Sequence, residues 1–202
     1  MRGIPNLEEA NIMLKEAEKL NPGPWVQHSL YVGQAAKLIA ENYEDMDPEV
    51  AYIVGMLHDI GRRYGVTNMR HSLDGYNYAV EKGYDLLGKI CLTHSFPTKD
   101  IEEAFGKWDC NKDEYEFVKK YLDSIELDDY DKLIQLCDAL ALPEGFTLME
   151  KRMIDVALRH GVHQHIIPKW KATFEIKDYF EKRMGKSIYS VLPGVVENTF
   201  KL

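Results

Sequence analysis

Cysteine is scarce in this chain. Only three occur in 202 residues, Cys91, Cys110 and Cys137, an odd number with no Cys-x-x-Cys pair. A disulfide framework and a zinc ribbon are thereby excluded, and two of the three lie inside apolar runs where a reduced thiol is a small core residue. Long hydrophobic runs are missing as well. The longest, near Ile53 to Leu57, is far too short to span a bilayer, and Glu8 and Glu9 stand where a signal peptide would be apolar. These features predict a cytoplasmic protein with no membrane partner. Positive charge is also in the minority: 25 Lys and Arg against 33 Asp and Glu give a net charge of −8. A surface of that sign repels phosphate backbones and anionic lipid, and no local basic patch offsets it, so nucleic acid is not an expected partner. With 14 Gly and 8 Pro, 45% apolar and 29% charged residues, disordered, low-complexity and fibrous classes are excluded. What remains is a chain long enough to bury one substantial core without staples.

Alternating strand patterns are absent too, whereas helix signals run from end to end. Leu7 to Leu20 is amphipathic and stops at Asn21-Pro22-Gly23-Pro24, which cannot continue a helix. From Trp25 onward, Trp25, His28, Val32, Ala36, Ile39 and Tyr43 recur every three or four residues, so one core-facing stripe contains a histidine. Pro48 opens the next helix, where its missing N–H costs nothing, and Gly61 closes it just after His58 and Asp59. Further helices are predicted over Met69 to Lys82, Tyr84 to His94, Asp113 to Ser124, Asp129 to Ala141, Thr147 to His160 and Ile166 to Met184. The expected fold class is all-α, as one domain over 1–202.

Polar residues on core-facing stripes carry the chemical information, because a buried carboxylate without a partner costs several kcal/mol. Asp138 lies in Leu133-Ile134-Gln135-Leu136-Cys137-Asp138-Ala139-Leu140 and calls for a cation, a histidine or a helix terminus. His58 and Asp59 follow the apolar run Ile53 to Leu57 and offer an imidazole and a carboxylate that can diverge around a metal ion. His28 supplies a third inward group.

His28, then His58-Asp59, then Asp138 resembles the H…HD…D signature of the HD superfamily of metal-dependent phosphohydrolases. Gly55-Met56-Leu57-His58-Asp59-Ile60-Gly61-Arg62 is close to the end of that family's central helix, and Leu136 to Leu140 resembles its final aspartate helix. The resemblance covers about 25–142 and implies an HD-domain helical bundle with additional C-terminal helices over about 143–202. It implies that His28, His58, Asp59 and Asp138 hold a metal, with Asp59 catalytic. His71 and His94 resemble the added ligands of binuclear members, nearest in pattern to the diadenosine tetraphosphatase-like branch; alternatively they bind phosphate beside a single metal. The cyclic-dinucleotide branch fits less well, since no paired histidines follow His94 and its Gly-Tyr-Pro signature is missing.

A carboxylate such as Asp59 can bridge two cations. Neutral imidazoles favour iron or manganese, with cobalt, nickel or zinc as further candidates, over magnesium. One or two such ions per chain would activate water and hold phosphoryl oxygens. The implied activity is hydrolysis of a phosphoester or phosphoanhydride in a small nucleotide or phosphorylated metabolite. The alternatives are a single-metal nucleoside 5′-monophosphatase and a non-catalytic nucleotide-sensing module. Arg62 replaces a lysine often found in relatives; it is a candidate phosphate ligand, or else forms a surface salt bridge. A homodimer is compatible with all of these.

Four other patterns are set aside. Gly83 to Ile90 fits most of a P-loop, but Ile90 replaces the required Ser or Thr and no strand precedes it. His160-Gly161-Val162-His163-Gln164-His165 reads as a solvated loop, the acidic stretch Asp113 to Asp131 as solvated helix faces, and Lys169-Trp170-Lys171 is too short for nucleic-acid stacking.

Overall fold

The computed structural model describes residues 3–201. Among them are ten α-helices and one two-stranded ladder. Helix α1, Leu7–Leu20, begins at a capping box in which Asn6 and Glu9 satisfy each other's backbone N–H groups. Helices α2, Trp25–Ala40, and α3, Pro48–Leu57, form the centre of the fold. They approach closely because Gly33 faces Gly55; a Cβ on Gly55 would lie 2.8 Å from the Gly33 Cα. Asp47 caps α3 through the amides of Glu49 and Val50, with Pro48 in the first turn as expected.

After α3 the chain tightens into a 3-10 turn, Ile60–Tyr64, and then enters α4, Arg70–Glu81, and α5, Asp85–Thr93. Gly61 lets this turn lie on α4: a methyl group there would collide with the carbonyl of His71 and the amide of Gly75. Helix α6, Lys112–Ser124, covers a smaller apolar cluster around Phe96, Ile101 and Leu122. Helix α7, Asp129–Asp138, starts at a capping box between Asp128 and Asp131.

The all-α expectation holds apart from the ladder β1, Ala141–Leu142, paired antiparallel with β2, Gly145–Phe146. Helix α7 therefore ends at Asp138 rather than continuing to Ala141. A two-residue ladder is too short to leave an alternating pattern. Helices α8, Met149–His160, and α9, Ile166–Met184, follow, and a short α10, Val195–Phe200, was not legible. Residues beyond 142 are part of the main core: Phe146, Ile176, Phe180, Ile188 and Leu192 are buried in the same cluster as Ile39, Val54 and Leu133.

Candidate metal centre

Five helix ends or first turns deliver the six expected donors to one place. His28 is one turn into α2, His58 caps α3 with Asp59 next to it, His71 lies in the first turn of α4, His94 caps α5, and Asp138 is the last residue of α7. His58, Asp59, His71 and His94 are each no more than 4% exposed. Adjacent imidazole centroids lie 5.4 Å apart for His28 and His58, 5.0 Å for His58 and His94, and 5.5 Å for His71 and His94.

The tautomer of each histidine follows from its backbone partner. Nδ1 of His28 donates to the Ala141 carbonyl at 3.2 Å, that of His58 to Gly55 at 2.7 Å, and that of His94 to Cys91 at 2.9 Å, while His71 donates to Asn68. A carbonyl oxygen can only accept, so each Nδ1 carries the proton and each Nε2 presents a lone pair to the cluster. Those lone pairs face carboxylate oxygens. Asp59 Oδ1 lies 3.1 Å from His71 Nε2, 3.7 Å from His94 Nε2 and 3.9 Å from His58 Nε2, and Asp138 Oδ1 lies 2.9 Å from His28 Nε2. Asp59 Oδ1 and His58 Nε2 are buried with no hydrogen-bond partner among the described residues. Acceptors facing acceptors in a buried space call for cations between them.

The donor atoms of His28, His58 and Asp138 lie within 4.8 Å of one another, as do those of His58, Asp59 and His94. Neutral imidazole nitrogens with carboxylate oxygens suit a divalent transition metal. Burial lowers the His58 pKa, and burial followed by the nearby His58 pushes His94 down to about 3, so both stay neutral and free to ligate. Burial works against charge on Asp59, yet the Arg62 guanidinium beside it holds its carboxyl well below the usual carboxylate range.

Two expectations need refinement. Asp138 is not sealed in the core: its side chain is 30% exposed because the end of α7 opens into a cavity. Arg62 is no surface salt bridge, for its Nε donates to Asp59 Oδ2 at 2.5 Å and its Nη2 reaches to 3.4 Å from His71 Nε2.

The cavity measures about 780 Å³ and is shared between the donor cluster and the C-terminal elements. Several of its residues escaped the sequence reading. Lys169, from α9, donates to the carbonyls of Ser95 and Glu103 at 2.7 and 3.3 Å. Burial lowers the Lys169 pKa and raises that of Glu103 to about 7, their attraction offsetting part of each shift. Trp25, Trp170 and Phe105 add flat apolar surface, and Arg152 and Arg159 of α8 add charge. The tripeptide Lys169-Trp170-Lys171 was the only visible signal of this wall. The segment from His160 to His165 runs off the end of α8 into a mostly exposed loop, as expected, but it is not wholly free of packing: His163 lies 5.7 Å from the Phe105 ring, and His165 Nδ1 pairs with Asp100 at 2.8 Å. Nor is the acidic stretch all solvated, since Asp131 is buried against Lys89 and Thr93. The P-loop-like segment falls largely within α5, where Lys89 pairs with Asp128 and Asp131.

A family model described as HD domain matches residues 25–142. The chain belongs to the HD domain family. HD domains are in general metal-dependent phosphohydrolases that bind divalent metals and act on small phosphorylated substrates. Comparison with curated proteins and with solved structures finds no match. No helix among the described residues is long and apolar enough to cross a membrane.

Proposed function

We propose that this HD protein hydrolyses a phosphoester or phosphoanhydride in a small nucleotide or phosphorylated metabolite, using two divalent transition-metal ions. The observation that carries the reading is the set of four imidazoles with Nδ1 committed to backbone carbonyls and Nε2 turned toward Asp59 and Asp138. On this reading His28, His58, Asp59 and Asp138 hold one ion, and Asp59 with His71 and His94 holds the second, iron or manganese being the best matched. Bound ions would supply Lewis acidity toward phosphoryl oxygens and a lowered pKa for water.

The chain's own residues orient and exclude. Asp59 is the charge around which the donors are arranged, and Arg62 fixes its rotation by holding Oδ2. Arg62 also lines the cavity, where its guanidinium would meet a phosphate oxygen. Trp25 and Trp170 give a base or another flat group apolar surface, and a cavity of about 780 Å³ is of the size that takes a nucleotide.

One observation favours a second reading, the single-metal 5′-monophosphatase. Arg62 occupies Asp59 Oδ2 and lies against His71 Nε2, where a second cation would otherwise be drawn. Elemental analysis of protein purified anaerobically without chelator or affinity tag separates the two. About two ions per chain, with turnover of an aryl phosphate, supports the binuclear hydrolase, and about one supports the alternative. Loaded protein that binds nucleotide yet hydrolyses neither an aryl phosphate nor a nucleotide panel overturns both in favour of a sensing module.

A further inference from the structure

The cavity wall opposes the charge of the molecule that contains it. Apart from Asp59 and Asp138, the wall carries six Lys or Arg side chains against two acidic ones, in a chain with 25 basic and 33 acidic residues. Five of those six cations lie after residue 142 and so outside the part that matches the HD family. Arg62 is neutralised by Asp59, so the unspent charge comes from the C-terminal elements.

Helix geometry explains how α8 delivers it. Arg152, Asp155 and Arg159 stand three and four residues apart and share one face of the helix. Asp155 Oδ2 meets Arg152 at 3.3 Å and Arg159 at 2.9 Å, so one carboxylate aligns two guanidinium groups and leaves a net positive charge. The Arg152 side chain is only 18% exposed, which limits competition from water. From α9, Lys169 is anchored to the carbonyl of Ser95, the residue after His94, through one of its three N–H donors, and to Glu103 through another. A half-buried cation with donor capacity left over, in a wall already rich in guanidinium, is suited to an anion rather than to a neutral group.

We infer that α8 and α9 complete the site with a cationic subsite, formed by Arg152, Arg159 and Lys169, for an anionic group of the substrate beyond the phosphate that reacts. The substrate is then a di- or triphosphate rather than a monophosphate. This deepens the proposed hydrolase reading and rests on it, and it gives the C-terminal helices a role in selecting the substrate.

Titration calorimetry on the full metal-loaded chain tests the subsite, with excess Mg²⁺ present so that the ligand does not strip the site. Inorganic phosphate and tripolyphosphate are the probes, on the wild type, Arg152→Gln/Arg159→Gln and Arg152→Lys. Tripolyphosphate should bind the wild type roughly tenfold or more tighter than phosphate, since two charge-assisted contacts are added. The double variant should lose most of that advantage, and Arg152→Lys should keep part of it because the charge remains. Equal binding of the two probes by the wild type, or an advantage that survives in a double variant with native helical circular dichroism, would overturn the subsite. Aryl-phosphate turnover by the wild type is read in parallel. A nucleotide panel is read with it: absence of turnover on both alongside a retained tripolyphosphate preference removes the hydrolase reading but not the subsite, whereas turnover without preference removes the subsite alone.

Discussion

Replacing Asp59 by Asn tests the electrostatic logic of the centre with almost no change in shape. The carboxamide can still accept from Arg62 and can turn its NH₂ toward His71 Nε2, 3.1 Å from the present Oδ1. The metal-free variant thus gains a donor for a lone pair that now faces another acceptor. What it loses is the ion pair with Arg62. Orphaning a fully buried charge costs about 3–5 kcal/mol, but the Arg62 side chain is 30% exposed and can rehydrate, so a loss of about 1–2 kcal/mol is expected for the metal-free protein. Metal binding should suffer far more. At a free metal concentration of about 100 times Kd, the wild type gains about 2.7 kcal/mol, or roughly 5 to 10 °C in Tm for a domain of this size. Losing the anion that faces His58, His71 and His94 should weaken binding by roughly 100-fold or more, given that even outer-shell partners are worth roughly 10- to 100-fold. The metal-induced shift then shrinks to about 1 °C. Differential scanning calorimetry with and without Mn²⁺, together with metal content per chain, reads both effects. An Asp59→Asn protein with wild-type metal content and an undiminished Tm shift would refute the reasoning.

Two further predictions concern the frame around the centre. Glu103 is fully buried and its pKa is raised to about 7, so its contribution to stability is complete below the ordinary glutamate pKa and is lost as pH rises through about 7. Over that window the wild type should lose up to about 1.4 kcal/mol per pH unit more than Glu103→Gln, as measured by urea denaturation at a series of pH values; parallel pH profiles would contradict this. Gly61→Ala should cost roughly 2–3 kcal/mol and reduce metal content, because the added methyl drives the 3-10 turn from α4 at His71, whereas near-wild-type Tm and metal content would show that the turn is not tightly seated.

The helices were legible because their signals are local. The Asn-Pro-Gly-Pro stop after α1, Pro48 at the start of α3 and the three-and-four spacing that includes His28 each operate within a few residues, on the scale of the helical repeat. The ladder at Ala141 was not legible, since two residues leave no period, and yet its carbonyl fixes the tautomer of His28. His28, His58, Asp59 and Asp138 were legible because a buried carboxylate or imidazole is costly enough to stand out against apolar neighbours, whereas His71 and His94 were reached only through the resemblance to binuclear HD proteins.

By itself, then, the sequence determined an all-helical HD protein and the six side chains at its centre. The tertiary structure decided how those side chains are arranged. Which imidazole nitrogen faces inward depends on carbonyls such as that of Ala141, which lies 113 residues from His28. Whether Arg62 meets solvent or Asp59 depends on a turn pressed against α4. The cationic wall is assembled from α8 and α9 only when they fold back over the end of α7. Charge and hydrogen bonding act through space over a few ångströms, and folding sets those distances between residues that no local pattern connects.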